Sequence, residues 1–151
     1  MKEISFKPIG IIHSPTKKLE DAPRSERMAE GVVATVEIYP EYVEGLTDLE
    51  GFSHIILLTH FHLSKEFPLL VKPPLDKEVV HGVFATRSPR RPNPIGMSTV
   101  RLKKIEGNIL HITNTEMVDG TPVLDIKPYV PLSYLKEDEI RVGWLTGKLH
   151  G

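Results

Sequence analysis

The chain has 151 residues, of which 40% are hydrophobic and 26% charged, and it contains no cysteine. This balance is typical of one soluble domain, residues 1–151, with a single core, whereas the lack of cysteine excludes disulfides, Cys-type zinc sites and thiol catalysis. Nineteen basic residues against 20 acidic ones are not the charge of a protein that wraps nucleic acid over its whole surface. The polar N-terminus has no signal-peptide pattern, and no run approaches the roughly 18 apolar residues of a membrane span, so we expect a cytoplasmic protein.

Alternating apolar residues predict β-strands from the N-terminus onwards. Residues 4–12 suggest an opening strand, and residues 32–39 alternate in the pattern of a half-buried strand. Residues 54–62 form a nearly continuous apolar run, which is typical of a central strand, and residues 79–86 are a further candidate.

A hairpin and short helices complete the predicted elements. Strands at residues 98–105 and 109–115 flank Gly107-Asn108, a pair of turn residues at hairpin spacing. Short helices are expected only near residues 40–49 and 132–138. Seven or so short strands separated by turn signals favour a barrel or a sandwich, and no Gly-x-Gly-x-x-Gly motif follows a strand, so a Rossmann unit is not expected.

Residues 82–98 are the most informative stretch because prolines and arginines are interleaved there. Three prolines within six residues fix φ and remove backbone donors, so this segment is predicted to be a stiff, extended loop. A preorganised loop suits Arg87, Arg90 and Arg91, whose planar guanidinium groups fit carboxylates and phosphates. A solvated connecting loop, with arginines paired to surface acids, is the alternative that the residues leave open.

Residues 116–129 contain a second candidate, the Asp119-Gly120 pair. Asp-Gly is a turn signal, and the Asp119 side chain is suited to accept hydrogen bonds from the turned backbone. A simple turn between strands is the interpretation that this pattern favours. A functional role requires Asp119, Asp125 and Lys127 to lie near the arginine-rich loop.

The histidines, a long polar loop and the tryptophan carry weaker signals. His60 and His62 share one face of a predicted strand, but no His-Glu-x-x-His pattern supplies a zinc site. We expect no metal, and interpret His62 as a hydrogen-bonding wall of a pocket. The polar loop at residues 14–31 is either functional or disordered, and Trp144 is expected in the core or an interface.

Taken together, these segments resemble a known family, the TsaA-like S-adenosylmethionine-binding β-barrel proteins. Its studied members N6-methylate threonylcarbamoyladenosine next to the tRNA anticodon. Residues 9–15 (IGIIHSP) look like the opening motif of this family, and residues 49–54 (LEGFSH) look like the start of its central strand. Residues 82–98 and 119–129 are similar to its two signature blocks nearly residue for residue. Family members commonly carry Gln at the positions of Ser25 and Leu63, and many have a longer C-terminus.

The resemblance implies a mainly β protein, a single antiparallel β-barrel with one or two short helices. It also implies a homodimer that binds S-adenosylmethionine near the subunit interface and acts on tRNA. The implied cofactor contacts are Pro23, Arg24, Ser25, His62, Leu63, Arg87, Met97, Asp119, Gly120 and Thr121. We predict that Asp119 accepts a proton from the target adenine amine or orients it, because that amine is a poor nucleophile. The candidates for contacts with RNA phosphates are Arg90, Arg91, Lys103 and Lys104.

Three other functions compete with a tRNA methyltransferase. An S-adenosylmethionine sensor that does not transfer the methyl group predicts cofactor affinity without labelled RNA. An RNA-binding barrel without a cofactor predicts no heat of binding with S-adenosylmethionine. A metal-dependent hydrolase predicts bound zinc, which elemental analysis detects.

Overall fold

Six antiparallel strands close into a barrel in the computed structural model, which describes residues 1–23 and 28–149 of the chain. In chain order the strands are β1 (Gly10–His13), β2 (Val33–Ile38), β3 (His54–His60), β4 (Leu70–Val71), β5 (His81–Gly82), β6 (Ile95–Glu106), β7 (Ile109–Thr113) and β8 (Pro122–Pro128). Around the barrel the order is β1-β2-β7-β6-β3-β8, and β8 pairs with β1 to close it. Strands β4 and β5 form a separate ribbon. The predicted antiparallel barrel is confirmed.

Side-chain alternation fills the barrel interior with apolar residues. On β2, Ala34, Val36 and Ile38 are buried, whereas Val33 is 63% exposed. The fully buried interior includes Ile12, Val36, Ile55, Leu57, Val100, Leu110, Ile112 and Val123. Complete burial of one such side chain contributes roughly 1.5–3 kcal/mol, so this interior is the main source of stability.

The hairpin predicted around Gly107-Asn108 joins β6 to β7, as the sequence indicated. Gly107 has a φ of +61°, which glycine adopts without a Cβ clash, and Glu106 pairs with Ile109 across the turn. Asn108 Nδ2 donates a hydrogen bond to the Ile38 carbonyl oxygen at 2.9 Å. The turn is therefore also attached to the end of β2.

Two strand predictions are wrong in extent. The opening strand begins at Gly10, and the side chains of Ile4 and Phe6 are 79% and 66% exposed. Residues 79–86 contain only the two residues of β5, followed by a 3₁₀ turn at Val83–Ala85. The ladder stops there because its partner strand, β4, is itself only two residues long.

The predicted helical regions contain 3₁₀ helices. Pro40–Leu46 and Leu49–Gly51 cover the first region, with Pro40 in the first position. Glu137–Glu139 lies in the second region. Short 3₁₀ pieces are common as connectors. Within the described residues, no helix has both the length and the apolar character needed to cross a membrane.

The two ends of the barrel are built differently. We call one end the loop rim: it consists of the last residues of β1, β3 and β7, the first residues of β2, β6 and β8, and the loops attached to them. We call the other end the cap end. It is covered by residues 39–53, whose Tyr42, Val43, Leu46 and Leu49 pack against the core.

Candidate functional site at the loop rim

Three segments meet at the loop rim because of the strand pairing. Strand β3 lies between β6 and β8 and is antiparallel to both, with His60 opposite Ile95 and Thr59 opposite Val123. The residues before β6, after β3 and before β8 are therefore neighbours. They are the arginine loop (residues 86–94), the linker (residues 61–64) and the Asp-Gly turn (residues 118–121).

Two neighbouring arginines have different environments in the arginine loop. Arg91 Nη1 donates to the carbonyl oxygens of Thr86 at 2.9 Å and Ser88 at 3.0 Å, which braces the loop from within. Arg90 is exposed and pairs with Glu66, which is also exposed. Such exposed ion pairs contribute roughly 0–1 kcal/mol, so Arg90 can exchange Glu66 for another anion at little cost.

The linker attaches the arginine loop to β3. The Phe61 amide donates to the Pro94 carbonyl oxygen at 2.7 Å, and the Ser64 hydroxyl donates to the Pro89 carbonyl oxygen at 2.9 Å. Both acceptors belong to prolines, whose φ is already fixed. The loop is therefore held at two points outside itself.

The start of β6 combines a tight backbone approach with exposed apolar side chains. A Cβ on Gly96 would lie 2.6 Å from Thr59 Oγ1 and 2.7 Å from the Phe61 ring, so only glycine fits there without a shift. Met97, the next residue, is 50% exposed, and Leu63 of the linker is 42% exposed. The loop rim thus presents apolar surface beside its polar groups.

Both carboxylate oxygens of Asp119 have partners. The Ser14 amide donates to Oδ1 at 2.9 Å, and Lys17 Nζ lies 3.0 Å from Oδ2. The Asp119 amide in turn donates to the Thr16 carbonyl oxygen at 2.7 Å. The hydrogen bond from Ser14 and then the one from Lys17 lower the pKa of Asp119 below its ordinary value. Asp119 is therefore ionised at neutral pH and joins the turn to the segment after β1.

Gly120 brings the Asp-Gly turn close to the linker. It has a φ of +84°, which favours glycine, and its amide donates to the Ile12 carbonyl oxygen at 2.8 Å. A Cβ on Gly120 would lie 3.8 Å from His62 Nε2. The buried Thr121 hydroxyl closes the turn by donating to the Val118 carbonyl oxygen at 2.6 Å.

His62 is neutral at physiological pH. Burial lowers its pKa, and the nearby His60 lowers it further. A neutral imidazole has one donor and one acceptor nitrogen, so this side chain can form a hydrogen-bonding wall as the sequence suggested. Among residues 1–23 and 28–149, no three His, Asp or Glu side chains are close enough to hold a metal ion.

Residues 115–117 cross the opening of the barrel at the loop rim. Met117 is 4% exposed, and the Thr59 hydroxyl donates to its Sδ at 3.4 Å. The Ser98 hydroxyl donates to a carboxylate oxygen of Glu116. These contacts close the interior at this end, so the exposed groups of the loop rim lie outside the barrel core.

A shallow depression of about 410 Å³, open to solvent, lies beside Asp119. Its described lining consists of His13, Ser14, Pro15, Lys17, Val33, Ala34, Thr35 and Asp119. Arg87 and Met97 are not among these residues. This depression is therefore formed by β1, the residues after β1, β2 and Asp119, without the arginine loop.

The predicted site residues divide into three groups by position. His62, Leu63, Arg87, Met97, Asp119, Gly120, Thr121, Arg90 and Arg91 belong to the loop rim. Pro23 is half-buried in the loop that follows β1, whereas Arg24 and Ser25 lie outside the described residues. Lys103 and Lys104 lie toward the other end of β6, where Lys104 pairs with Glu106. Lys103 follows Ile95 by eight positions, or about 26 Å along the strand, so the RNA-binding candidates do not form one patch.

Sequence reasoning missed the residues that hold these loops. Lys17 belongs to the long polar loop, but nothing in the sequence indicated Asp119 as its partner. Nothing in the sequence indicated Asp119 as the partner of Ser14 either, although Ser14 lies in the segment IGIIHSP that resembles the opening motif of the family. Trp144 Nε1 donates to the Ala85 carbonyl oxygen across 59 residues of sequence, and no local pattern indicates that contact.

Known proteins share this barrel and these segments. Residues 11–133 match the sequence model of the tRNA-methyltransferase O N-terminal domain. A probable S-adenosyl-L-methionine-binding protein of Pyrococcus abyssi is 54% identical over 147 residues, which are 97% of this chain and 79% of that protein. An S-adenosyl-L-methionine-binding protein of Archaeoglobus fulgidus is 43% identical over 126 residues, or 83% of this chain and 89% of that protein.

More distant relatives carry the name of an enzyme. The tRNA (adenine(37)-N6)-methyltransferase of Escherichia coli is 39% identical over 142 residues, and the match covers 88% of this chain and 60% of the enzyme. The crystal structure of TrmO from Pseudomonas aeruginosa superposes with a TM-score of 0.75 at 37% identity, covering 95% of this chain and 63% of that one. The chain thus spans about three fifths of the length of these relatives.

The strand order defines a class of closed six-stranded antiparallel β-barrels with long loops at one end. Within that class, the chain belongs to the tRNA-methyltransferase O N-terminal domain family, because the family match covers most of its length. The family resemblance inferred from the sequence is confirmed.

Proposed function

We propose that this chain binds S-adenosylmethionine at the loop rim and transfers its methyl group to N6 of the (threonylcarbamoyl)adenosine beside the tRNA anticodon. One observation carries the proposal: strand pairing brings the arginine loop, His62 and the Asp-Gly turn to the same end of the barrel. The relatives named above as S-adenosylmethionine-binding proteins and as tRNA methyltransferases support the cofactor and the substrate.

The residues at the loop rim fit the chemical groups of the cofactor. Its ammonium and sulfonium charges suit the ionised Asp119, and its carboxylate suits Lys17, which also lines the 410 Å³ depression. Leu63 and Met97 offer apolar surface, and His62 offers both a donor and an acceptor to a flat base. We propose Pro23, Arg24 and Ser25 as further contacts on the family resemblance alone.

Catalysis requires alignment more than activation. When bound, S-adenosylmethionine supplies an electrophilic methyl group, so the protein chiefly positions donor and acceptor. Asp119 holds the turn in its ionised form. For Asp119 to accept a proton from the target amine, it must release Lys17, whose side chain is 67% exposed and therefore free to move. Gly120 places the neutral His62 beside the same turn, where it can orient the amine.

The substrate RNA contacts the exposed part of the arginine loop. Arg90 is proposed to exchange Glu66 for a phosphate, since both partners lie at the surface. Arg87, also exposed, is proposed to bind the cofactor or the carboxylate of the modified base. Arg91 contributes indirectly, because its guanidinium already bonds two loop carbonyls.

A homodimer is proposed because apolar side chains surround the loop rim of the single chain. Phe84 is 77% exposed, and Ile95, Met97 and Leu63 are each more than 40% exposed. Clustered apolar surface of this kind marks interaction sites. A second copy over this face would cover these side chains and complete the site with residues from both protomers.

The names of the more similar relatives favour a second candidate function. Those relatives are called S-adenosylmethionine-binding proteins, not enzymes. An S-adenosylmethionine sensor would use the same rim residues for the cofactor but would not position an RNA base. It would therefore bind the cofactor with unchanged affinity when Arg90 is replaced, and it would release no methylated nucleoside.

The test is methyl transfer with identification of the product. The protein is incubated with radiolabelled S-adenosylmethionine and total tRNA, and the labelled nucleoside is identified by mass spectrometry. A labelled N6-methylated adenosine derivative is expected, and Arg87→Ala should reduce its yield at least tenfold. Arg101→Ala is the matched control because Arg101 is an exposed arginine on β6 remote from the loop. Cofactor binding without labelled RNA would contradict the methyltransferase proposal and support the sensor instead.

A further inference from the structure

A compact side-chain cluster lies outside the loop rim. The Trp144 indole stacks on the His81 imidazole, with 4.3 Å between ring centroids and 22° between planes. His81 Nε2 lies 2.9 Å from Asp76 Oδ2, and Lys148 Nζ lies 3.2 Å from the same oxygen. The side chains of Asp76 and His81 are only 13% and 14% exposed. The last part of the described chain is thus attached to the segment that includes β5.

This cluster bonds directly to the base of the arginine loop. Trp144 Nε1 donates to the Ala85 carbonyl oxygen at 2.8 Å. Ala85 ends the 3₁₀ turn Val83–Ala85, and Arg87 follows two residues later. The indole hydrogen bond therefore reaches the backbone two residues before the first arginine of the loop, next to Thr86, whose amide and hydroxyl both donate to the Val83 carbonyl oxygen.

We propose that Trp144 is a positioning residue for the arginine loop, acting through the Ala85 carbonyl to fix the backbone that carries Arg87. The proposal rests on the proposed function for its effect on ligands. Its structural part, the restraint of residues 86–91, stands independently of any ligand.

The Trp144 contact comes from a distant part of the chain, whereas the other bonds near the first arginine are made within residues 83–91. The prolines and the contacts of the linker fix residues 89–94. Arg91 then joins that half back to the Thr86 carbonyl, inside the loop. Thr86 bonds the buried Val83 through its amide and hydroxyl, and the Trp144 indole adds a contact from a distant part of the chain.

The ion pairs of the cluster keep the indole in place. Asp76 accepts from His81 and Lys148 together, so the imidazole is held against the indole face. The Lys148 ammonium also lies 5.9 Å from the centroid of the Trp144 ring, within the range of a cation–π contact. Three side chains thereby hold the orientation of one N–H donor.

The test compares Trp144→Phe with Trp144→Ala and with a matched control. Phenylalanine keeps an aromatic ring to stack on His81 but removes the N–H donor, whereas alanine removes both. The control is Tyr134→Phe, which removes one polar atom from an aromatic side chain that is 75% exposed in the same part of the chain. Amide hydrogen exchange of residues 86–91 and S-adenosylmethionine affinity are measured for the full-length chain.

Trp144→Phe is expected to raise the exchange rates of residues 86–91 about tenfold and to weaken S-adenosylmethionine binding about three- to tenfold, as the loss of one hydrogen bond implies. Trp144→Ala should raise these exchange rates further and weaken S-adenosylmethionine binding more. Tyr134→Phe should change neither the exchange rates nor the affinity. Because Trp144 acts through Arg87, Trp144→Phe should add almost no further loss of affinity in an Arg87→Ala background. A purely structural tryptophan would instead lower the melting temperature and give additive losses.

The two proposals fail in different measurements. Unchanged exchange of residues 86–91 in both Trp144 variants overturns the positioning role, whatever the protein binds. Wild-type protein without affinity for S-adenosylmethionine overturns the proposed function, while faster exchange in Trp144→Phe would still support the restraint.

Discussion

The cap end and the loop rim of the same barrel both contribute apolar side chains to the core, Met117 among them at the rim, but their loops are held by different kinds of contact. At the cap end, residues 39–53 place Tyr42, Leu46 and Leu49 on the apolar core. At the loop rim, backbone amides, carbonyls and charged side chains form the contacts, as in the bonds of Asp119 to Ser14 and Lys17. The contrast indicates that the cap end is held chiefly by apolar packing, whereas the loops of the rim are held chiefly by directional polar contacts.

Directional bonds make the loop rim a suitable place for the proposed site. Apolar contacts are roughly proportional to buried area and have little directional preference, so they close a barrel without fixing particular groups. Hydrogen bonds have preferred angles and lengths, so the bonds of Arg91 and Asp119 fix the backbones of two neighbouring loops. This difference predicts that substitutions at the cap end change stability, whereas substitutions at the loop rim change binding.

The largest expected effect is a loss of stability at the cap end. Ile38 ends β2 there and is 1% exposed, so Ile38→Ala should lower the free energy of unfolding by about 2–5 kcal/mol. Chemical denaturation measures this loss. The matched control is Val33→Ala at the other end of the same strand, where the side chain is 63% exposed. Equal losses for the two variants would contradict the contrast, as would weaker S-adenosylmethionine binding by folded Ile38→Ala protein.

The next largest effect is expected at Asp119. Asp119→Ala removes the acceptor for the Ser14 amide and should cost about 1–3 kcal/mol of folding stability, together with most of the affinity for S-adenosylmethionine. Denaturation and calorimetry measure the two losses. Asp119→Asn is the matched variant because its amide oxygen can still accept from Ser14. If Asp119→Asn lost as much stability as Asp119→Ala, the bond to Ser14 would not be what holds the turn.

The same residue gives a pH dependence with a definite sign. The pKa of Asp119 is lowered in the folded protein, chiefly by the Ser14 hydrogen bond, so folding keeps this side chain ionised. Its contribution is complete above the ordinary Asp pKa of about 4 and is lost as the pH falls through the lower, folded value. Acid should therefore destabilise wild type more than Asp119→Asn. Asp76, whose pKa is also lowered, chiefly by the hydrogen bond from His81, should leave the variant partly acid-sensitive.

Local sequence patterns predicted the fold well where the alternating residues also pair with a neighbouring strand. Strand β2 and the hairpin at Gly107 follow from alternation and turn residues within a few positions. The wrong strand predictions fall on segments that alternate like strands but have no neighbouring strand of matching length. Ile4 and Phe6 alternate like a strand but remain exposed, and β5 ends with its two-residue partner. Alternation indicates which residues could face a core, but strand length depends on the neighbouring strand.

The sequence indicated which segments form the candidate site, but it did not indicate which side chains contact one another there. The prolines predicted a stiff loop, but no sequence feature distinguishes Arg91, which braces that loop, from Arg90, which faces solvent. The bond between Ser14 and Asp119 spans 105 residues. Such pairs are created by barrel closure, which brings β1 beside β8, and a local pattern cannot indicate them.

A smaller effect is expected from the exposed arginine of the loop. Arg90→Ala should leave stability unchanged and weaken tRNA binding about three- to tenfold. The slope of log affinity against log salt should fall in magnitude by about 0.7–0.9, as for one lost phosphate contact. Filter binding at several salt concentrations measures the slope. Glu66→Ala is the informative companion, since removing the competing carboxylate should strengthen tRNA binding slightly. An unchanged slope in Arg90→Ala would remove this residue from the RNA contacts.

The smallest effect is expected from the lysines near the cap end. Lys104 pairs with Glu106 in the open, where both side chains are about 60% exposed, and such a pair contributes roughly 0–1 kcal/mol. Lys103→Ala and Lys104→Ala should therefore change both stability and tRNA affinity less than Arg90→Ala does, because about 26 Å of strand separates Lys103 from the loop. If either lysine variant flattened the salt slope as much as Arg90→Ala, the RNA would extend along β6. The RNA-binding surface would then include the side of the barrel along β6. The difference between the two ends of the barrel would then apply to cofactor binding and not to RNA binding.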